Sequence, residues 1–184
     1  MIDPIKARQI LADAQQIYSS AEVSDAIAKL AEQITARLKD DHPLVLSVMG
    51  GAVFFSGQLL PLLNFPLEFE AIHISRYGGA TSGGKTEWRV MPNEPIAGRS
   101  ILVLDDILDE GFTLKAIHEK MMALGAKQVV SAVLVEKNLA KEKPIHADFV
   151  GLTVPNEYVF GCGMDVYGAW RNLPAIYALM RGEK

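Results

Sequence analysis

Two kinds of hydrophobic pattern follow one another along the chain. Over residues 4–18 and 21–39, apolar residues recur at every third or fourth position, which predicts two amphipathic helices. Most later apolar segments are short continuous runs, the pattern of strands buried on both faces of a sheet. The predicted strands are residues 43–49, 67–77, 100–105, 128–136 and 147–154. Because strands then alternate with helices, we predict an α/β protein whose central parallel sheet is flanked by helices.

Helices and one unusual loop separate these strands. Residues 52–60 are predicted to be helical up to Pro61, and residues 113–124 form another helical pattern. Residues 78–86 read GGATSGGKT, a glycine-rich composition typical of a mobile loop that could close over an active site as a lid. Residues 88–91 are predicted to return as a short strand.

The most informative segment is ILVLDDILDEGFTL, residues 101–114. A buried strand ends in Asp105 and Asp106, Asp109 follows, and a glycine precedes a helix. In open α/β sheets, ligands bind beyond the carboxyl ends of the strands. The amides of residues 110–113 would lie at a helix N-terminus, where phosphate binds well. Adjacent carboxylates can accept the hydroxyls of a diol, so the segment predicts a site for a phosphorylated ribose.

A simpler interpretation is a solvated turn with a helix cap, because aspartate is favoured in both places. Against it stands the clustering of Asp105, Asp106 and Asp109 within five residues beside a buried strand. Carboxylates this close repel one another, and a metal ion or a cationic partner would relieve the repulsion. The sequence therefore favours a functional site over a turn.

A second motif competes with this one. Residues 79–86, GATSGGKT, formally match the phosphate loop of nucleotide kinases. A phosphate loop requires a helix that begins at its lysine and threonine, here Lys85 and Thr86. Pro92 and Pro95 leave little room for that helix, and the residues after the loop favour a strand. We therefore interpret the match as a coincidence of a glycine-rich lid.

Length, composition and charge narrow the class of protein. The 184 residues suit a single domain, residues 1–184, and 49% apolar with 22% charged residues is typical of a globular protein. A net charge of −4 argues against a dedicated nucleic-acid or membrane-surface binder. The single cysteine, Cys162, fits a reducing compartment. The sequence has no apolar run of membrane-spanning length and no signal-peptide pattern, so we expect a cytoplasmic protein.

The acidic segment resembles the binding motif for 5-phosphoribosyl-1-pyrophosphate (PRPP) in type I phosphoribosyltransferases. In both, two acids, two apolar residues and an aspartate are followed by a small or polar residue, glycine, any residue and threonine. The resemblance implies that Asp105 and Asp106 hold the ribose hydroxyls, and that Asp109 is a catalytic acid or base near N7 of a purine. The implied PRPP-binding residues are Asp105, Asp106, Asp109, Glu110, Gly111, Phe112 and Thr113.

Residues 137 and 148–171 resemble the purine-binding segments of the same family. The resemblance implies that Lys137 bonds the 6-oxo group, Tyr158 stacks on the base and the main chain of Val159 contacts the base edge. Asp165 would complete the purine-binding set and help to hold a metal's water shell. Taken singly, Lys137 could be a solvated lysine and Tyr158 a core aromatic, but their joint spacing favours the functional interpretation.

Two further loops match the family pattern less closely. Met49, Gly50 and Gly51 lie at the pyrophosphate loop, where the family often has a basic residue in place of Met49 and a cis peptide before the glycine. Arg76 and Tyr77 lie where the lid usually carries Ser-Tyr, so Arg76 departs from the pattern. The implied pyrophosphate-binding residues are Met49, Gly50, Gly51 and Arg171.

Taken together, the motifs resemble hypoxanthine-guanine phosphoribosyltransferases most. The resemblance implies a type I phosphoribosyltransferase fold with a small hood formed by terminal segments. The implied reaction transfers phosphoribose from PRPP to N9 of hypoxanthine or guanine, giving IMP or GMP and pyrophosphate. Mg²⁺ is the implied cofactor, with Asp105, Asp106 and Asp165 as metal residues. The implied partners are PRPP and a 6-oxopurine, without nucleic acid or membrane, in a homodimer or homotetramer.

Two alternatives stay open. The base could be xanthine or a pyrimidine, and the sequence does not rank hypoxanthine, guanine and xanthine. The chain could also be a PRPP-sensing regulator that binds nucleic acid without catalysis. Asp109, Lys137 and Asp165, together with the acidic net charge, argue against that loss of catalysis.

Overall fold

The computed structural model describes residues 2–77 and 85–179 of the chain. In chain order the elements are α1 (Pro4–Asp13), β1 (Gln15–Tyr18), α2 (Ser20–Leu38), β2 (Leu44–Val48), α3 (Val53–Leu59), a 3-10 helix (Leu60–Leu62), β3 (Glu68–Tyr77), β4 (Lys85–Val90), β5 (Ser100–Leu108), α4 (Phe112–Ala123), β6 (Gln128–Lys137), β7 (Phe149–Val154), β8 (Val159–Phe160) and β9 (Ile176–Ala178). Within these ranges, no helix combines the length and the apolar character needed to cross a membrane.

The central sheet has six strands in the order β4-β3-β2-β5-β6-β7. All neighbours run parallel except β4, which is antiparallel to β3. Helices cover both faces, and β5 shows how two cores result from strand periodicity. Leu102 and Leu104 pack into the core that includes α2 and α3, whereas Ile101 and Val103 pack into the core that includes α4. The predicted parallel sheet flanked by helices is confirmed, with one antiparallel strand added at its edge.

The terminal segments form a second, smaller sheet in the order β1-β9-β8. Here the prediction of one helix over residues 4–18 is wrong, because the helix ends at Asp13 and Gln15–Tyr18 is a strand. This strand pairs antiparallel with β9, near the other end of the described chain. A partner so distant in sequence leaves no trace in local periodicity. The small sheet corresponds to the hood that the family resemblance implied.

The two acids of the motif lie inside β5 and not in a turn after it. Strand β5 pairs with β2 only as far as Leu104, but it pairs with β6 as far as Leu108. The predicted strand end at residue 105 is therefore wrong, because β6 extends the strand beyond the end of β2. Asp105 and Asp106 lie where β5 has lost one of its two neighbours, and this opens the sheet beside them.

The kinase alternative is contradicted by the conformation of the chain after the glycine-rich loop. Lys85–Val90 is strand β4, and its backbone pairs antiparallel with the end of β3, Tyr77 opposite Lys85. A phosphate loop would need a helix at this point. Of the predicted lid, residues 78–86, positions 78–84 lie outside the described residues, and so do the side chains of the adjoining residues 76, 77, 85 and 86.

Candidate active site

A cleft of about 360 Å³ lies at the carboxyl edge of the sheet, where β2 ends and β5 continues. Its lining residues are Val48 to Gly51, Asp105 to Leu114, Val133 and Arg171. The cleft therefore brings together the predicted pyrophosphate loop, the acidic segment and the arginine of the C-terminal segment. This is the edge at which open α/β sheets bind their ligands.

The turn from β5 into α4 depends on Gly111. Its φ of 85° is in the left-handed region, which glycine adopts without the strain that a side chain would bring. A Cβ atom at Gly111 would also lie 3.4 Å from side-chain atoms of Pro144 and Ile145. Helix α4 begins at the next residue, Phe112, so the backbone of residues 111–113 forms a helix N-terminus that lines the cleft. Such an end carries partial positive charge and suits a phosphate.

Asp105 and Asp106 are adjacent carboxylates in a largely desolvated position. Asp105 is only 9% exposed, and its Oδ1 accepts a hydrogen bond from the amide of Asp106 at 3.0 Å. Burial raises the pKa of Asp105 well above its usual value, and the neighbouring Asp106 raises it further. Burial also raises the pKa of Asp106. The solvated-turn interpretation is therefore wrong. Burial opposes the ionisation of both carboxyl groups, and hydroxyl groups or a cation bound here could compensate their negative charge.

Three segments approach one another so closely at Asp106 that two glycines are required. A Cβ atom on Gly51 would overlap the carboxylate of Asp106, and one on Gly163 would overlap the carbonyl oxygen of Gly51. Gly163 also has a φ of 103°. The peptide between Met49 and Gly50 is cis. Sequence reasoning missed Gly163, although its position in a Gly-Cys-Gly triplet was an available signal.

Arg171 is held at the cleft by other residues of the C-terminal segment. Its Nη1 donates to the carbonyl of Gly163 at 2.6 Å, and its Nη2 pairs with Oδ1 of Asp165. Asp165 is itself oriented by the amide of Gly168, which donates to Oδ2 at 2.7 Å. The positive charge of Arg171 opposes the burial that raises the pKa of Asp106. An oriented guanidinium on the cleft wall suits a phosphate or pyrophosphate group.

Tyr158 and Val159 are connected to the cleft only indirectly. The hydroxyl of Tyr158 donates to the carbonyl of Asp165 at 3.1 Å, and its ring stacks on Tyr167 with centroids 6.5 Å apart. Burial raises the pKa of Tyr158, and Asp165 adds to the shift. Val159 pairs with Ala178 in the small sheet. Neither Tyr158 nor Val159 lines the cleft, and the stacked partner Tyr167 was missed by sequence reasoning.

Lys137 and Asp109 form an ion pair beside the cleft. The Nζ of Lys137 donates to Oδ2 of Asp109 at 2.8 Å, although the residues are 28 positions apart in the chain. Strands β5 and β6 pair in register up to Leu108 and Glu136, so each of the two residues comes directly after that pair. The lysine side chain is 13% exposed and the aspartate 47%. A donor and an acceptor are thus held side by side, one of them open to a ligand.

Two lysines of the loop between β6 and β7 reach the same region, and sequence reasoning missed both. Lys143 is buried and donates to the carbonyls of Leu108 and Lys137. Lys141 donates to the carboxylate of Glu110 at 2.5 Å. The loop, residues 138–148, is irregular, and its local sequence pattern carries no signal for these contacts.

The fit to a metal ion rests on the paired acids. Among the residues that the structure describes, no three His, Cys, Asp or Glu side chains converge as a metal site. Asp105 and Asp106 offer adjacent carboxylates, and magnesium is usually held by one or two carboxylates together with substrate phosphates. Asp165 is instead paired with Arg171. The donor set therefore fits a magnesium ion that binds together with a phosphorylated substrate.

Comparison with known proteins defines the class. The family model of the phosphoribosyl transferase domain matches residues 13–167. The chain belongs to this family. The family that the acidic segment predicted is thereby confirmed.

Individual relatives narrow the comparison. The chain is 32% identical over 164 residues to the hypoxanthine-guanine phosphoribosyltransferase of Bacillus subtilis (strain 168), which covers 89% of this chain and 91% of the relative. It is 35% identical over 161 residues to the bifunctional protein TilS/HprT of Listeria innocua, covering 87% of this chain but only 25% of that protein. A hypoxanthine phosphoribosyltransferase structure from Staphylococcus aureus has a TM-score of 0.87 at 24% identity, with 94% and 95% of the two chains covered, which shows a shared fold.

Proposed function

We propose that this chain is a purine salvage enzyme that transfers phosphoribose from PRPP to N9 of hypoxanthine or guanine, giving IMP or GMP and pyrophosphate. The observation that carries the proposal is the Lys137–Asp109 pair, with its 2.8 Å separation, next to the acidic cleft. A 6-oxopurine presents a carbonyl oxygen beside N7, so an ammonium donor and a carboxylate match its edge. The relative from Bacillus subtilis that covers nearly the whole chain carries the same activity in its name.

The cleft divides into subsites for the parts of PRPP. Amides at the start of α4 and the hydroxyl of Thr113 bind the 5′-phosphate, and Asp105 with Asp106 accepts hydrogen bonds from the ribose hydroxyls. Gly50 and Gly51 leave room for pyrophosphate against the main chain. Arg171, oriented by its partners, stabilises the charge that develops on the leaving group.

Mg²⁺ is the proposed metal, held by Asp105 and Asp106 with Asp165 near its water shell. When bound, it would neutralise charge on the pyrophosphate group. Both aspartates must be ionised for this role, against the burial that raises their pKa values. Substrate and metal together would offset this effect of burial.

Asp109 is the proposed catalytic residue. Its carboxylate, 47% exposed, can exchange a proton with N7 of the purine while the Lys137 ammonium donates to the 6-oxo group. A 6-amino group presents hydrogens to an ammonium that is itself only a donor, so adenine is expected to be a poor substrate.

A panel of bases tests the proposal. Hypoxanthine, guanine, xanthine, adenine and uracil are each incubated with PRPP and Mg²⁺, and nucleotides are separated and quantified. We expect IMP and GMP as the main products. Faster use of xanthine or uracil would reassign the base, and tight PRPP binding without any nucleotide would favour the PRPP-sensing regulator.

We also propose a homodimer or homotetramer in the cytoplasm. Large apolar side chains are partly exposed on β3, β4 and α3, including Phe69, Val90 and Val53 at 46%, 46% and 50% exposure. Burying such side chains between subunits would be favourable. Sedimentation velocity at micromolar concentration measures the assembly, and a monomer would contradict it.

A further inference from the structure

The ammonium of Lys143 is buried but fully hydrogen-bonded. Only 6% of its side chain is exposed, in the loop that joins β6 to β7. Its Nζ donates to the carbonyl oxygens of Leu108 at 3.0 Å and Lys137 at 2.6 Å, and to Oε1 of Glu136 at 3.1 Å. A lysine ammonium has three protons, and here each has an acceptor. The carboxylate of Glu136 also compensates the charge, as a buried lysine requires.

The acceptors lie where two strands end. Leu108 is the last residue of β5 and Lys137 the last residue of β6. Pairing between these strands ends at Leu108 and Glu136, so their ladder no longer holds the two backbones together beyond that point. The ammonium of Lys143 bridges the backbones there. Asp109 follows Leu108 directly, so both members of the Lys137–Asp109 pair are attached to main chain that Lys143 holds.

The same loop also packs under the phosphate end of the site. Side-chain atoms of Pro144 and Ile145 lie beside Gly111, so close that a Cβ there would lie 3.4 Å from them. Lys143 is adjacent to Pro144 in the chain. The loop therefore spans from the base side to the phosphate side, with the buried ammonium as its anchor.

We propose that Lys143 is a positioning residue for base recognition, which sets the spacing and orientation of Asp109 and Lys137. This role rests on the proposed function, because it gives the pair a purine to bind. Lys143 itself does not line the cleft. Displacement of a positioned group by about 1 Å can cost on the order of 10²-fold in rate, so loss of the anchor should affect recognition at the 6-position.

The substitutions separate positioning from charge. Lys143→Met removes the donors while keeping the chain length, and Lys143→Met with Glu136→Gln also removes the carboxylate that would be left uncompensated. The matched control is Lys127→Met, because Lys127 is another ion-paired lysine, 3.0 Å from Asp41, at the opposite end of β6. All variants are measured well below their unfolding temperatures.

The deciding measurement is the dissociation constant of IMP compared with that of AMP, by calorimetric titration. The two nucleotides share ribose and phosphate and differ at the 6-position of the base. We expect the constant for IMP to rise by about tenfold or more in both Lys143 variants, the scale of one hydrogen bond to a charged group. The constant for AMP should change by less than about threefold, and Lys127→Met should alter neither.

A purely structural lysine would lower the unfolding temperature or weaken both nucleotides equally. Either result with an unchanged ratio overturns the proposal. If Lys143→Met does not fold, Glu136→Gln alone provides the test. We then expect a smaller loss of the preference for IMP over AMP. An unchanged preference overturns the positioning role. If the wild-type protein forms no nucleotide from any base, the proposed function is overturned and this role with it. If the wild type is active but the variants keep its preference for IMP over AMP, only the role of Lys143 is overturned.

Discussion

The carboxylates near the two ends of β5 lie in opposite electrostatic environments. At the amino end, Lys127 donates to Asp41 at 3.0 Å and Arg99 donates to Glu68 at 2.8 Å. These hydrogen bonds hold the pKa of Asp41 and the pKa of Glu68 below their usual values. At the carboxyl end, burial raises the pKa of Asp105 well above its usual value, and no lysine or arginine among the described residues pairs with its carboxylate.

The difference separates carboxylates that belong to the structure from carboxylates that belong to a ligand site. Ionised groups with cationic partners within the chain favour the folded state, but only modestly at the surface. A carboxyl group whose ionisation is opposed by burial makes the folded state less stable when it ionises. The presence of such a group therefore points to a ligand that compensates the charge. The carboxyl end of β5 has this second character, and the adjoining glycines and the N-terminus of α4 line the same cleft.

The largest expected effect is on catalysis at the carboxyl end. Asp109→Asn should slow nucleotide formation by about 10²–10⁴-fold, the usual range for general acid–base assistance. PRPP affinity should change far less, because the main-chain amides at the start of α4 and the carboxylates of Asp105 and Asp106 remain. Turnover and PRPP binding are measured separately, with Asp41→Asn at the amino end as the matched control. Near-normal turnover in Asp109→Asn, or an equal loss of turnover in Asp41→Asn, would contradict the functional difference between the two ends of β5.

A smaller effect is expected at the proposed binding site for the 5′-phosphate. Thr113→Val should raise the apparent PRPP dissociation constant by about tenfold or more, since a hydrogen bond to a charged acceptor contributes roughly 1.5–3 kcal/mol. Lys85→Ala, in the formal phosphate-loop motif, should leave an active transferase. PRPP titration of both variants measures this. Loss of activity in Lys85→Ala, together with wild-type transfer from ATP without PRPP, would instead support the kinase interpretation.

The smallest expected effect is on stability and its pH dependence. A carboxyl group whose folded-state pKa is raised stabilises the fold fully below its unfolded-state pKa, about 4, and that contribution is lost as pH rises through the raised value. Unliganded Asp105→Asn should therefore be more stable than wild type at neutral pH, and the difference should vanish toward pH 4. A gain of 1 kcal/mol corresponds to roughly 2–4 °C in a protein of this size.

Asp41→Asn should behave in the opposite way. Its folded-state pKa is lowered, so the carboxylate contributes stability above about pH 4, and this is lost as pH falls through the lowered value. The variant should lose stability at neutral pH and approach wild type in acid. Thermal unfolding from pH 3 to pH 8 without ligand compares the two. Parallel curves for Asp105→Asn and Asp41→Asn would refute the distinction between the two ends of β5.

The acidic site could be predicted from the sequence because its elements are local. An apolar run, adjacent acids, a glycine and a helical pattern lie within residues 101–124, and each depends on its immediate neighbours. The continuous apolar strands likewise predicted a parallel sheet covered on both faces. The lengths of the strands were not predictable in this way, since β5 extends to Leu108 only because β6 runs beside it.

Contacts between distant segments were decided by the tertiary structure alone. Gln15–Tyr18 is a strand because it pairs with β9, and Gly163 must be glycine because Gly51 lies against it. Strand register places Asp109 beside Lys137, and the return of the next loop places Lys143 beneath them. Hydrophobic periodicity reports which face of an element is buried, but it carries no information about which distant residue arrives at that face. Register and loop packing supply that information once the chain has folded.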